Sequence, residues 1–120
     1  MNVAYWIVAG LLAAFYLYGG GVKVLHSRDR LRPMMAWVDS TPMPAVRAIG
    51  LVEVLGAAGL VLPPLTGVAP ELAVAAAVGF AVLQIGATAV HLRLGDRRVA
   101  LNLTLLVAAA GTAWLATASL

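Results

Sequence analysis

Apolar residues fill four long stretches of this chain, and the polar residues gather between them. A helix needs roughly 20 such residues to cross a hydrocarbon core. The pattern predicts four spans of this kind, at about 3–25, 44–62, 71–92 and 99–118, with Pro44 suited to a first helical turn. The stretch Pro63-Pro64-Leu65-Thr66-Gly67-Val68-Ala69-Pro70 reads as a tight turn that stops the second span and starts the third. Leu94-Gly95-Asp96-Arg97-Arg98 reads as another short hairpin. Connections this short predict an all-α fold, an integral membrane four-helix bundle running up-down-up-down, as one domain over 1–120.

The longest connection, from Arg28 to Met43, has a pattern of its own. Leu31, Met34, Met35 and Val38 recur at helical spacing, with Trp37 beside them and arginines at one end. Two readings fit: an amphipathic loop at the membrane surface, or a segment folded over the mouth of the bundle. Small residues punctuate the spans, with Gly19, Gly20 and Gly21 ending the first and Gly50, Gly56, Ala57 and Gly59 along the second. Small residues let membrane helices approach closely, and that is their default role here. The Gly19-Gly20-Gly21 run lacks the Lys-Ser/Thr sequel of a phosphate loop.

Composition agrees with the membrane assignment. The chain has 120 residues, 62% of them hydrophobic and 11% charged, and a mean hydropathy of +0.96. Soluble domains carry about 25% charged residues. The first apolar stretch is too long for a signal peptide and has no basic segment ahead of it, so it reads as a retained span. The sequence has no cysteine, which excludes disulfides, thiol redox relays, iron–sulfur ligation and cysteine zinc sites within it.

The net charge of +3 reads as topology rather than nucleic-acid binding. Lys23, Arg28, Arg30, Arg32 and Arg47 flank the first connection, and Arg93, Arg97 and Arg98 flank the third. The other connection and both ends carry no Lys or Arg. By the positive-inside rule the first and third connections are cytoplasmic, and both termini are extracytoplasmic. The expected location is the cell (inner) membrane, as a multi-pass protein.

Glu53 is the residue that an inert anchor would not need. A bare charge in hydrocarbon costs roughly 2.5 kcal/mol or more, so this carboxyl group must be protonated, paired or facing water. At about 1.5 Å per residue it lies about 9 Å inside the boundary marked by Arg47. His91 lies about 3 Å inside Arg93, and Asn102 about 6 Å inside Arg98. Lys23 stands near the same end of the first span, so each helix delivers one strong polar group to one third of the bundle. Helical spacing puts Tyr16, Gly19, Gly20 and Lys23 on one face, Gly50, Glu53 and Ala57 on another, and Gln84, Thr88 and His91 on a third. A pocket built this way is polar near the cytoplasm and apolar above, with Tyr16 and Gln84 near its ceiling.

Each of these groups has a plain structural alternative. Lys23 can snorkel to the headgroups, Arg47 and Arg93 can anchor the boundary, and Asn102 can hydrogen-bond a neighbouring helix. His91 can be an interfacial histidine. Glu53 can form a structural ion pair with Lys23, Arg47 or Arg93. On the functional side, Glu53 and His91 are the candidate catalytic pair, since a carboxyl group and an imidazole together handle protons. Lys23, Asn102, Tyr16, Gln84, Thr88 and Arg47 are candidate ligand-binding residues. Metal binding by His26, His91 and Glu53 lacks any supporting ligand spacing, so no metal site is expected.

The run Val46-Arg47-Ala48-Ile49-Gly50-Leu51-Val52-Glu53-Val54-Leu55-Gly56-Ala57-Ala58-Gly59-Leu60-Val61-Leu62-Pro63 resembles the second-helix signature of the DoxX-like family. Gly21-Val22-Lys23-Val24-Leu25, Ala89-Val90-His91-Leu92-Arg93-Leu94-Gly95-Asp96 and Asn102-Leu103 are similar to the family pattern as well. The resemblance covers nearly the whole chain and implies a small four-helix membrane protein. It also implies links to quinone-reducing sulfur oxidation, quinol oxidase complexes or oxidative-stress complexes, while distant relatives look like receptor-assembly chaperones. The expected function is therefore binding of a quinone or other hydrophobic small molecule as part of a redox-associated complex. The alternatives are a stand-alone membrane enzyme doing acid/base chemistry (isomerisation, epoxide opening or cyclisation) and a non-catalytic assembly protein. Expected partners are the lipid bilayer, a hydrophobic small molecule, and a second copy or another protein.

Overall fold

A computed structural model describes residues 2–119. Four long helices make the bundle: α1 (Val3–Leu25), α3 (Met43–Thr66), α4 (Leu72–Arg93) and α5 (Ala100–Ala118). A short helix α2 (Arg28–Leu31) and a 3₁₀ turn (Ala36–Ser40) make up most of the connection between α1 and α3. All four long helices have the length and hydropathy to cross a membrane. Their outer faces carry exposed Leu11, Leu55, Val82 and Val107, an apolar surface suited to lipid. The protein is an all-α, multi-pass membrane protein in contact with the bilayer.

Local chemistry sets the helix ends. The Asn2 side chain caps α1 by accepting a hydrogen bond from the Tyr5 backbone N–H at 2.8 Å. α3 runs four residues past the expected stop at Leu62, through Pro63 and Pro64, and ends where Gly67 takes φ +75°. The helix continues through both prolines, and one of the two carbonyls they leave without a donor finds a side-chain partner. Pro64 has no N–H for the Leu60 carbonyl one turn back. The buried Tyr5 hydroxyl donates to that carbonyl instead, at 2.5 Å. This bond ties α1 to α3 at the end of the bundle away from the arginines.

α1 packs mainly on α3, and α4 on α5, with α3–α4 and α1–α5 contacts closing the ring. Tyr5, Ala9, Leu12 and Tyr16 of α1 meet Ala57 and Leu60 of α3, Ala73, Ala77 and Phe80 of α4, and Leu105, Ala109 and Ala116 of α5. A second small cluster sits at the arginine-rich end, where Leu31 and Val38 pack on Val22 and Val46. The connection between α1 and α3 therefore folds over the bundle as a strap. It is not one continuous amphipathic helix: the chain turns after Leu31, across Pro33, and resumes as the 3₁₀ turn. Of the expected apolar face, Leu31 and Val38 are buried, Met35 is half-buried and Met34 is exposed.

Candidate functional site

The site begins where α1 and α3 cross. Gly20 and Gly50 meet backbone to backbone, so close that a Cβ on Gly20 would stand 2.6 Å from the Gly50 carbonyl oxygen. One turn further along, Lys23 of α1 and Glu53 of α3 face each other as a buried ion pair, Nζ to Oε1. Of the three basic partners open to Glu53 in the sequence, the fold selects Lys23. Lys23 consequently turns into the bundle, with only 8% of its surface exposed, rather than reaching for the headgroups. Its ammonium also lies 5.8 Å from the centre of the Trp37 ring on the strap, within cation–π range.

Arg47 does a different job. Its guanidinium donates to the Lys23 carbonyl at 2.7 Å and to the His26 carbonyl at 2.6 Å. These are among the last carbonyls of α1, which have no intrahelical donor. Arg47 therefore caps the helix that carries Lys23.

A chain of amides crosses the bundle beside the ion pair. Asn102 Nδ2 of α5 donates to Gln84 Oε1 of α4 at 3.0 Å, and Gln84 Nε2 donates to the Tyr16 hydroxyl of α1 at 2.5 Å. The Tyr16 ring stacks on Phe80, with centroids 3.8 Å apart and planes 6° from parallel. Phe80 in turn fills the space left by Gly56, where a Cβ would lie 2.5 Å from Phe80 Cζ. Thr88 turns its hydroxyl back to the Gln84 carbonyl at 2.7 Å, as hydroxyl residues do in membrane helices. Among the described residues, no buried side-chain nitrogen or oxygen is left without a partner.

The turn from α4 to α5 supplies the fourth element. Gly95 takes φ +80°, which reverses the chain just after α4. That reversal brings the Asp96 carboxylate back to His91 Nδ1 at 3.1 Å. The other Asp96 oxygen accepts from the Arg98 backbone N–H at 2.9 Å and from Arg98 Nε at 3.2 Å. The Arg98 backbone bond, the His91 bond and the Arg98 side chain pull the Asp96 carboxyl group down to about 2.

These elements enclose a cavity of about 880 Å³. Lys23, Glu53, Gln84, His91 and Asn102 form its polar wall, with Arg32, Asp96 and Arg98 at the rim. Phe15, Val82, Leu83, Leu101 and Leu105 form an apolar wall, and the strap covers it with Met34, Met35 and Trp37. The fold thus brings five of the eight sequence-selected residues to one cavity. Tyr16, Thr88 and Arg47 are not on its surface; they hold Gln84 and the end of α1 from behind. Glu53 and His91 share the cavity, yet each has its own partner, Lys23 and Asp96. Sequence reading passed over Asp96, which looked like part of a hairpin, and gave Trp37 no chemistry. The signal for Asp96 was its place five residues after His91 with a glycine between them.

The family model described as DoxX-like matches residues 7–112. The chain belongs to the DoxX-like family. The match begins within α1, ends within α5 and includes every residue of the polar wall. No curated protein and no solved structure gives a significant match to this DoxX-like chain.

Proposed function

We propose that the cavity binds a hydrophobic small molecule, with the molecule's polar head against Lys23, Glu53, Gln84, His91 and Asn102. The observation that carries this reading is a cavity of about 880 Å³ with polar groups on one wall and apolar groups on the other. Pockets for drug-sized ligands measure about 300–1,000 Å³ and combine apolar lining with a few convergent polar groups. Glu53 offsets the charge of Lys23, Asp96 that of Arg98, and Asp29 and Asp39 that of Arg32, so the lining suits a neutral head with carbonyl or hydroxyl groups. A quinone has that chemistry: its oxygens accept from the remaining Lys23 and Asn102 N–H groups while its tail lies along the apolar wall. The quinone links implied by the DoxX-like resemblance point the same way, towards a role in a redox-associated complex. In this reading the arginine-rich end faces the cytoplasm, both termini lie outside, and the chain sits in the cell (inner) membrane. Its exposed apolar helix faces leave room for a second copy or a partner protein.

The test is a quinone titration of the purified protein, followed by Trp37 fluorescence against a Trp6→Phe/Trp114→Phe background. Saturable quenching is expected, weakened about tenfold by Asn102→Leu, the scale of one lost hydrogen bond to a polar head. Absence of binding, or equal binding by wild type, Asn102→Leu and Glu53→Gln, would sink the assignment.

A second reading has its own supporting observation. The His91–Asp96 contact at 3.1 Å orients an imidazole in the cavity wall, an arrangement that suits acid/base catalysis. Glu53 and His91 would then act on a hydrophobic substrate by isomerisation, epoxide opening or cyclisation. Turnover of such a substrate that is lost in His91→Gln, with quinone binding unchanged, would select this reading over the first.

A further inference from the structure

A second cavity lies at the arginine-rich end, between the strap and the α4–α5 turn. It measures about 590 Å³, and its surface includes Trp37, Ser40, His91, Asp96, Arg97 and Arg98. Three of these groups are hydrogen-bond donors: the Trp37 indole N–H, half-buried, and the exposed Ser40 hydroxyl and Arg97 guanidinium make no side-chain hydrogen bond to any described residue. The one carboxylate in the lining, Asp96, has both oxygens engaged, one by His91 and the other by Arg98. Two arginines against one carboxylate leave the basin with an excess of positive charge. Free donors and positive charge together suit an anion rich in acceptor oxygens, and guanidinium groups match phosphate in geometry as well as charge.

The surroundings favour one source for that phosphate. Leu94 lines the basin and is 47% exposed, and Leu101, at the start of α5, is 58% exposed. The basin also lies beside the boundary where the apolar spans end. A donor-rich, cationic hollow with an apolar rim at this depth fits a lipid headgroup with its chains beside it.

We propose that this basin is a binding site for the phosphate head of an anionic membrane lipid, whose acyl chains run over Leu94 and Leu101. Ala36, Trp37, His91, Asp96 and Arg98 line both this basin and the inner cavity. The bound head therefore stands at the mouth of the inner site. The proposal does not depend on what occupies that inner site, so it stands even if no quinone binds.

The test is native mass spectrometry of the detergent-purified protein titrated with phosphatidylglycerol, phosphatidylcholine or inorganic phosphate. One phosphatidylglycerol should be retained, about tenfold more tightly than phosphatidylcholine, and Arg97→Gln should remove about that factor. Ser40→Ala should cause a smaller loss in the same direction. Arg30→Gln changes an exposed arginine at the same end but outside the basin, and should leave retention unchanged. Equal losses in Arg30→Gln and Arg97→Gln would overturn the site in favour of diffuse charge attraction. Equal retention of the two lipids would overturn the requirement for an anionic head. Displacement of the lipid by inorganic phosphate at comparable concentration would overturn the lipid as its source.

Discussion

Replacing Gly20 with alanine tests how the ion pair is assembled. The new Cβ would stand 2.6 Å from the Gly50 carbonyl oxygen, and 3.0 Å from Glu53 Cβ and Val54 Cγ2. The nearest obstacle is helix backbone, which cannot rotate out of the way. Ordinary contact begins at 3.4 Å, so α1 and α3 must part by about 0.8 Å, enough to forfeit a large share of the contact energy along the seam. Overpacking of this kind costs roughly 1–3 kcal/mol. The upper half of that range is expected, because membrane helices associate largely through such packing and Lys23–Glu53 lies one turn away. Alanine is a better helix former than glycine by about 0.5–1 kcal/mol, which offsets part of the loss. Gly21 is the control: a Cβ there meets nothing within 4 Å, so Gly21→Ala should stay within about 0.5 kcal/mol of wild type. Unfolding in mixed micelles with increasing dodecyl sulfate, followed by helical circular dichroism, measures both. Equal midpoints for Gly20→Ala and wild type, or equal damage from Gly20→Ala and Gly21→Ala, would refute the close crossing.

Three further outcomes are expected. Breaking the buried pair from one side, by Glu53→Gln or Lys23→Met, should cost about 3–5 kcal/mol in the same assay. The double variant should recover much of that, and strictly additive losses would refute the pairing. Tyr5→Phe should cost about 1–3 kcal/mol by orphaning the Leu60 carbonyl. It should cost clearly less in a Pro64→Ala background, where a backbone N–H returns to that carbonyl; equal costs in both would reject Pro64 as the reason for the bond. The Asp96 carboxyl group is held at about 2, below its ordinary 3.8. A depressed folded-state value stabilises above the ordinary one, so the support Asp96 gives the α4–α5 turn is complete above pH 3.8 and is lost as the pH falls through about 2. The Asp96 carboxylate band in infrared difference spectra against Asp96→Asn measures this. Titration near 3.8 in the wild type would contradict the His91 and Arg98 contacts.

Much of the fold was legible because hydrocarbon imposes simple rules. Backbone polar groups inside a membrane must be satisfied within the segment, so long apolar runs become helices. The end of α3 was less legible: Pro63 and Pro64 read as a stop, and only the Tyr5 hydroxyl, 55 positions away in the chain, compensates for the lost donor at Leu60. The strap was half legible, since its apolar positions were visible but the break across Pro33 moved Met34 out to the surface. Depth along each helix brought Lys23, Glu53, His91 and Asn102 together on paper. Depth alone could not separate residues that line a cavity from those that support them, such as Tyr16, Thr88 and Arg47.

The sequence by itself determined four apolar spans, their alternating direction, the charge gathered at one end and membership of the DoxX-like family. The first three follow from composition and one-dimensional spacing, and the last from the residues that the family model matches. The tertiary structure decided who pairs with whom. Lys23, Arg47 and Arg93 were equivalent partners for Glu53 along the chain, because linear distance carries no information about facing side chains. The Gly20–Gly50 crossing put Lys23 against Glu53, and the uncapped end of α1 drew Arg47 to its carbonyls. Ion pairs and hydrogen bonds act over a few ångströms, so their partners were chosen only once the helices had packed.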